Sequence, residues 1–268
     1  MIHPTAIIHP KAKLDSTVSV GPYSVVDEGV VIGARTVLGP HVYLTGRTIV
    51  GADNWFHAGC VIGDAPQDLK YKDEPTRLRI GDQNVLREHV TVHRSTTVGS
   101  ETFVGSHNFL MANSHVAHNC QIGDHVILAN GALLGGHAIV GDRAFISGNC
   151  LVHQFCRVGT LALMQGGSAI SKDLPPFTVA RGDNGICGLN VVGLRRAGFG
   201  VEERLKLKQL YRLLFRSGGS MHDAVASARE QFAGDAVKIM LDFVASASRG
   251  VCSDRRGSGH VEANKDTD

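Results

Sequence analysis

Residues 121–141 read Gln121-Ile122-Gly123-Asp124-His125-Val126-Ile127-Leu128-Ala129-Asn130-Gly131-Ala132-Leu133-Leu134-Gly135-Gly136-His137-Ala138-Ile139-Val140-Gly141. Ile122, Leu128, Leu134 and Val140 fall six apart, Gly follows three of them, and Val126, Ala132 and Ala138 stand four places after. Stepping outward in sixes, the series runs back from Leu128 through Val116, Leu110, Val104, Val98, Val92, Leu86 and Ile80. After two failures at Glu74 and Asp68 it resumes from Ile62 to Ile2, and it extends forward to Ile170. Apolar residues fill 27 of 29 slots from 2 to 170. A period of six is neither the 2.0 of a flat strand nor the 3.6 of a helix. It is the hexapeptide repeat of a parallel β-helix, in which each hexad is a short strand plus a corner. The aliphatic points inward, and the small residue four places on fits the narrow corner. Gly, next after the aliphatic at 21, 33, 39, 51, 63, 81, 99, 105, 123, 135, 141 and 159, permits corner backbone angles and close approach. Three hexads make a coil of 18 residues, so the repeat predicts about nine coils.

Composition agrees. Glycine is 32 of 268 residues, above the usual ~7%, aromatics are 6%, and charged residues are 19% against the usual ~25%. Narrow turns need small residues, and a thin tube has little room for rings. The net charge of +2 gives no basic stripe of the sort that nucleic-acid binding needs. No apolar run of ~18 residues predicts a membrane span. Met1-Ile2-His3-Pro4-Thr5-Ala6 carries no basic and apolar leader, which predicts a cytoplasmic location. Cys60, Cys120, Cys150 and Cys156 all occupy the small-residue slot and read as buried thiols filling corners; Cys187 and Cys252 lie outside the repeat.

The pattern divides the chain into a β-helix over 1–188, helices over 189–252, and a polar, Gly-bearing tail over 253–268 that is expected to be disordered. Residues 63–79, polar and Pro-bearing, read as a loop thrown out of the prism. Leu205, Leu207, Leu210, Leu213 and Leu214 give one apolar helix stripe, and Met221 to Phe232 and Ala236 to Ser248 give two more helices. Of fourteen histidines, His115, His118, His137 and His153 cluster in sequence. At 18 residues per coil, His118, His137 and His153 stack as a rough column on one edge. Such a column suits general-base work or a metal site.

Several motifs carry a resemblance: Pro66-Gln67-Asp68-Leu69-Lys70-Tyr71, Glu74-Pro75-Thr76-Arg77, His115-Val116-Ala117-His118, Val152-His153-Gln154-Phe155-Cys156, and Asn190 followed by Gly193-Leu194-Arg195-Arg196 and Gly198-Phe199. Together they resemble the UDP-N-acetylglucosamine O-acyltransferases, over residues 1 to about 250. The resemblance implies a mainly β chain: a left-handed parallel β-helix of hexapeptide repeats followed by an α-helical C-terminal domain, assembled as a homotrimer with active sites in clefts between subunits. It implies transfer of a 3-hydroxyacyl group from acyl carrier protein to the glucosamine 3-hydroxyl of UDP-N-acetylglucosamine, at the start of lipid A synthesis, with no cofactor and no metal.

By position, His118 matches the general base and the Gly136 N–H the oxyanion donor. Gln67 belongs to the sugar-site motif, and Asp68 and Lys70 match positions that hold the sugar. His115, His137, His153 and Gln154 match cleft residues, and Asn190 and Arg196 match nucleotide and diphosphate contacts. The family often has Asp where this chain has Asn119, so the resemblance implies a base with a lower pKa. Val192 and Ala197 likewise replace an acidic and a basic residue. Arg195, Arg196, Arg204, Lys206, Lys208, Arg212 and Arg216, against Glu202 and Glu203, read as a docking face for the acidic carrier protein. Within Leu163-Met164-Gln165-Gly166-Gly167, Gln165 in the groove implies a shorter acyl tail and Gly166 a longer one. Three rival readings are weighed beside this one: a zinc carbonic-anhydrase-like enzyme on the same scaffold, acyl transfer to an amino group of a sugar nucleotide, and a non-enzymatic solenoid.

Overall fold

The computed structural model describes residues 1–254. Short strands, most of two residues, wind into three sheets that form the faces of a prism, parallel except where Thr178–Ala180 pairs antiparallel with Gly185–Leu189. In nearly every strand the first residue points out and the second in, so the aliphatic series lines the interior. Val26, Leu44, Phe56, Ile62, Leu86, Leu110, Leu128 and Ile146 are fully buried. Successive coils join through backbone ladders, and residues 18 apart stand above one another, as in Val26↔Leu44 and Leu134↔Val152. At ~4.8 Å per coil this is a narrow column with every interior position in contact with its equivalents above and below.

Two features of the hexad differ from the sequence reading. The left-handed backbone region is held by the residue three after the aliphatic: Tyr23, Arg35, His41, Asp53, Gln83, His89, His107, Asn113, Asn119, His125, His137, Arg143 and Asn149 all have φ of 53–61°. Asn, Asp and His tolerate this region best among side-chain-bearing residues, so five of the fourteen histidines sit at corners for a backbone reason. Apart from Gly63 and Gly99, which do take a positive φ beside the two insertions, the repeat glycines serve close approach instead. A Cβ at Gly21 would stand 2.7 Å from the Gly39 carbonyl of the next coil.

The second difference is the number of insertions. Ile80 pairs with Val50, 30 positions back, and Val104 with Ile80, 24 positions back, where the undisturbed register is 18. The first insertion, residues 65–76, adds twelve residues, so the loop is shorter than the 63–79 read from the sequence, whose ends belong to the strands Val61–Asp64 and Arg77–Ile80. The second, in the seven-residue connection 94–100, lengthens the coil by six, and because six is the period it leaves the series in phase. Val98 is therefore a false match: it is exposed in the second loop. Both loops leave the same corner of the prism, on adjacent coils, and interlock. Arg94 donates to Gly63 O (2.9 Å) and to Tyr71 Oη (3.1 Å), and Tyr71 Oη donates to Glu74 O (2.6 Å).

One corner carries a buried polar ladder. Asn84 N and Nδ2 donate to Asn54 Oδ1 (2.9 Å each), Asn84 Nδ2 also donates to Gly105 O (2.9 Å), and Asn108 N donates to Asn84 Oδ1 (2.9 Å). Asn84→Ala strands these partners in a dry interior, with an expected loss of about 2–4 kcal/mol. Urea unfolding that shows a loss below 1 kcal/mol would refute the structural role given to the ladder.

Four helices follow: α1 (Val191–Arg196), α2 (Val201–Arg216), α3 (Met221–Gln231) and α4 (Asp235–Ala245). Leu194, Leu207, Leu210, Leu214, Val237, Met240 and Leu241 form their core with Leu161 and Phe177 from the end of the prism. Leu205 leaves the anticipated stripe and is exposed, because it stands two residues before Leu207 and so on another face. Arg157 bolts prism to helices: it donates to buried Asp173 (2.7 Å), to Phe243 O (2.9 Å) and to Ser246 Oγ (3.0 Å). The expected tail begins ordered: Ser253–Asp254 pairs with Gly185–Ile186, and Asp254 accepts from Tyr211 Oη and Arg216 Nε. Residues 255–268 lie outside the described residues. No helix among the described residues is long and apolar enough to cross a membrane.

Candidate active site

Above the two loops, the same corner of the prism holds a cleft of about 640 Å³. The 18-residue register decides which side chains share a level position there. His118, Gly136 and Gln154 form one column, and Asn119, His137 and Phe155 form the next. The anticipated column of His118, His137 and His153 is thus split, since its spacings of 19 and 16 place each ring one slot off. His118 meets His137 edge-on at 5.3 Å, His137 stacks on Phe155 at 4.6 Å, and His153 directs Nδ1 at Gln154 O (3.1 Å). Gly136 lies beneath the His118 ring: an added Cβ would stand 2.5 Å from Cε1 and 2.7 Å from Nε2. Its carbonyl accepts from Phe155 N (3.0 Å), while among the described residues its N–H donates to no protein atom.

Of the anticipated residues, Gln67, His115, His118, Gly136, His153 and Gln154 line the cleft together. His137 stands beside them on the corner. Asp68 turns its own loop by accepting from Lys70 N (2.9 Å), and its charge works against the lowering of the His137 pKa, which comes from burial and His118. Lys70 is exposed on the loop. The structure does not bring Asn190 or Arg196 to this cleft. Asn190 is buried, donates to Leu161 O (2.9 Å) and caps α1 by accepting from Gly193 N (2.9 Å), whereas Arg196 is exposed on α1. Gln165 accepts from Arg181 (2.7 Å), and neither it nor Gly166 lines the cleft of the single chain.

The cleft has an apolar wall. Outward residues of one sheet stack in register from His115 through Leu133 and Leu151 to Ala169, a rise of roughly 14 Å at ~4.8 Å per coil. His115 and its neighbour His93 stay neutral at pH 7. Burial, then His93 and His118, pushes the His115 pKa down to about 4, and burial lowers His93. His115 shares a hydrogen on Nδ1 with Thr91 Oγ1 (2.7 Å).

Thr91, His93, Thr96 and Ser100 were not legible as site residues. Thr96 and Ser100 both touch Asn119, whose Oδ1 lies 2.9 Å from His118 Nδ1. Their signal is present in Arg94-Ser95-Thr96-Thr97, a polar run where the hexad expects a strand, but Val98 in phase conceals it.

A second cavity of about 420 Å³ lies between α1 and α2. Arg195, Arg204, Lys208 and Arg212 surround an apolar floor of Leu189, Val191, Leu194, Val201 and Leu205, and among the described residues no carboxylate pairs with these four. Two of the seven anticipated cations are otherwise engaged: Arg216 with Asp254 and Lys206 with Ala233 O.

A family model described as UDP N-acetylglucosamine O-acyltransferase, domain 2, matches residues 173–252, and one described as bacterial transferase hexapeptide (six repeats) matches residues 101–136. The chain is 44% identical over 258 residues to the acyl-[acyl-carrier-protein]–UDP-N-acetylglucosamine O-acyltransferase of Janthinobacterium sp. (strain Marseille), covering 94% of this chain and 98% of that protein. It is 46% identical over 253 residues to the protein of the same name from Alkalilimnicola ehrlichii, covering 93% and 98%. Among solved structures, the UDP-N-acetylglucosamine acyltransferase of Francisella novicida superposes with a TM-score of 0.91 at 34% identity, over 97% of this chain and 99% of that one. The hand of the β-helix is the left-handed one of this group, an exception to the usual right-handed crossover. With relatives above 40% identity matched over almost their whole length, and with a solved structure of the group superposing over nearly the whole chain, the chain belongs to the UDP-N-acetylglucosamine O-acyltransferase family.

Proposed function

We propose that this protein transfers a (3R)-3-hydroxyacyl group from acyl carrier protein to the 3-hydroxyl of the glucosamine ring of UDP-N-acetylglucosamine, the first step of lipid A biosynthesis. One observation carries the residue assignment: His118 lies directly over Gly136, whose N–H donates to no protein atom among the described residues, at the foot of an apolar wall. His118 Nε2 takes the proton of the sugar hydroxyl as its oxygen attacks the thioester carbonyl. The carbonyl oxygen gains charge and receives a hydrogen bond from Gly136 N–H. Collapse restores the carbonyl and breaks the C–S bond, and the departing thiolate recovers the proton from His118. Leu133, Leu151 and Ala169 supply a track for the acyl tail, and Gln67, Asp68, Lys70, His115, His137, His153 and Gln154 hold the two substrates.

The assembly in this reading is a homotrimer. Exposed Arg196 would then serve the cleft of a neighbouring copy, and Asn190 would set its direction by capping α1. Purified protein given UDP-N-acetylglucosamine and acyl carrier proteins of several chain lengths should form an ester at the sugar 3-oxygen. Product found only with a 3-amino sugar nucleotide would overturn the O-acyl reading in favour of N-acyl transfer.

The cavity between α1 and α2 fits the carrier protein, since unpaired cations around an apolar floor complement an acidic helical partner. Arg204→Glu together with Arg212→Glu should raise KM for acyl carrier protein about tenfold or more and leave KM for the sugar nucleotide unchanged. The opposite pattern would move nucleotide binding to this face.

Asn119 offers His118 a hydrogen-bond acceptor but no charge. Asn119→Asp should therefore shift the acidic limb of the kcat/KM profile to higher pH by about one unit, because a carboxylate favours imidazolium. An unmoved limb would mean that another group sets it.

A further inference from the structure

Asn119 sets a problem that Asp would not. A carboxylate presents the same acceptor whichever way it turns, whereas an amide has two different ends. With Oδ1 toward His118 Nδ1, the ring nitrogen must donate, the proton resides on Nδ1, and Nε2 keeps its lone pair. With the NH2 group there instead, the ring nitrogen must accept, the proton moves to Nε2, and that nitrogen can no longer serve as a base.

The surrounding chain decides between these two orientations, and does so twice. Thr96 N lies 3.1 Å from Asn119 Oδ1, and a backbone N–H can only donate, so the atom facing it is the oxygen. Thr96 Oγ1 adds a second donor at 2.9 Å. On the other side, Asn119 Nδ2 stands 3.1 Å from Ser100 Oγ. The single hydroxyl hydrogen of Ser100 is already given to Thr97 O at 2.7 Å, so Ser100 Oγ can only accept there and the atom facing it is the nitrogen. Both constraints come from the 94–100 insertion, and both give one answer. Thr102 Oγ1 completes the cradle by accepting from Asn119 N (2.7 Å), and Ser95 Oγ ties the loop by donating to Ser100 O (2.8 Å).

We propose that the 94–100 insertion is a tautomer clamp: Thr96 and Ser100 are positioning residues that fix the Asn119 amide, so that His118 carries its proton on Nδ1 and turns a bare Nε2 to the cleft. The inference rests on the reading of His118 as general base, and it explains how this chain orients that base without the customary carboxylate.

The test has two arms. Protein labelled with 15N-histidine should show, by long-range 15N–1H correlation, His118 protonated on Nδ1 and bare at Nε2. A predominant Nε2–H form in the wild-type protein overturns the proposal. In the second arm, Thr96→Pro/Ser100→Ala, which removes the Thr96 backbone N–H and hydroxyl together with the Ser100 oxygen, should mix the two tautomers and lower kcat by about tenfold or more, a part of the loss that a wrong tautomer causes in other histidine-based sites, with KM for the sugar nucleotide little changed. Adding Asn119→Asp to that double variant should restore kcat to near the value of Asn119→Asp alone, because a carboxylate has no wrong end. A loss of kcat that Asp fails to restore would make the loop merely structural and defeat the clamp, as would a double variant with wild-type kcat and an unmixed Nδ1–H signal. Failure of the reaction assignment looks different: the wild-type protein would show the Nδ1–H form and yet transfer no acyl group.

Discussion

His118→Ala is expected to lower kcat for acyl transfer by about 10²–10⁴, the range that a positioned general base supplies. The sugar hydroxyl is a poor nucleophile at neutral pH, and the cleft offers it few other proton acceptors. His115 and His93 are kept neutral by burial. However, His115 Nδ1 is engaged with Thr91 and its ring meets His93 edge-on at 4.8 Å, so it is not free to take the place of His118. The fold should barely register the change. His118 is half-buried, its side chain makes one hydrogen bond, to Asn119, and the inward aliphatic of its hexad, Val116, is untouched. Unfolding should therefore shift by less than about 1 kcal/mol, as for a partly exposed side chain away from the core. KM for both substrates should move far less than kcat, since the base acts mainly in the transition state. A variant that keeps more than a tenth of wild-type kcat would remove His118 from the role of base. A variant that loses activity together with its cooperative unfolding would leave the base to be tested with His118→Gln, which retains volume and polarity.

The sequence made the prism legible because its physics repeats. Each inward aliphatic meets the same neighbours above and below, so 18-residue register and six-residue period carry one message many times over, and no single irregular hexad can obscure it. The site was legible only where it used the period or a motif. The structure places His115, His118, Gly136, His153, Gln154 and Gln67 around one cleft. The second loop stayed hidden because its length equals the period: a six-residue insertion preserves the phase of every later hexad, and Val98 falls on the beat while facing solvent. The polar run that holds Thr96 does not show which residues touch Asn119, and the importance of Thr96 and Ser100 lies in which side of Asn119 each one faces. Corner geometry was misread for a similar reason. Repeat glycines are conspicuous in sequence, but the left-handed backbone lies two residues later, on His, Asn, Asp and Arg, whose tolerance of that region leaves no compositional mark.

Gly136→Ala is expected to cost about 10² in kcat with little loss of stability, whereas its neighbour Gly135→Ala should do the reverse. The backbone tolerates alanine at both positions, since neither has a positive φ. What differs is the atom each new methyl would strike. At Gly135 it meets backbone of the next coil, Gln154 N at 2.7 Å and His153 C at 3.2 Å. Backbone in a ladder cannot yield without disturbing the coils on either side, so Gly135→Ala should destabilise the prism by about 1–3 kcal/mol, the usual cost of overpacking. At Gly136 the methyl meets the His118 ring, Cε1 at 2.5 Å and Nε2 at 2.7 Å. The ring borders the open cleft and can tip away, so the fold is spared. Ordinary contact needs roughly 3.5–4.0 Å, so the ring must move by about 1 Å, and a displacement of that size is enough to cost about 10² in rate. A double variant separates this steric account from any other. In His118→Ala/Gly136→Ala the ring that the methyl would strike is gone, so the second substitution should add almost nothing to the loss from the first. If Gly136→Ala remains as damaging without the ring as with it, the methyl acts on the oxyanion position beside the Gly136 N–H, and the steric coupling of base and donor through the 18-residue register is wrong.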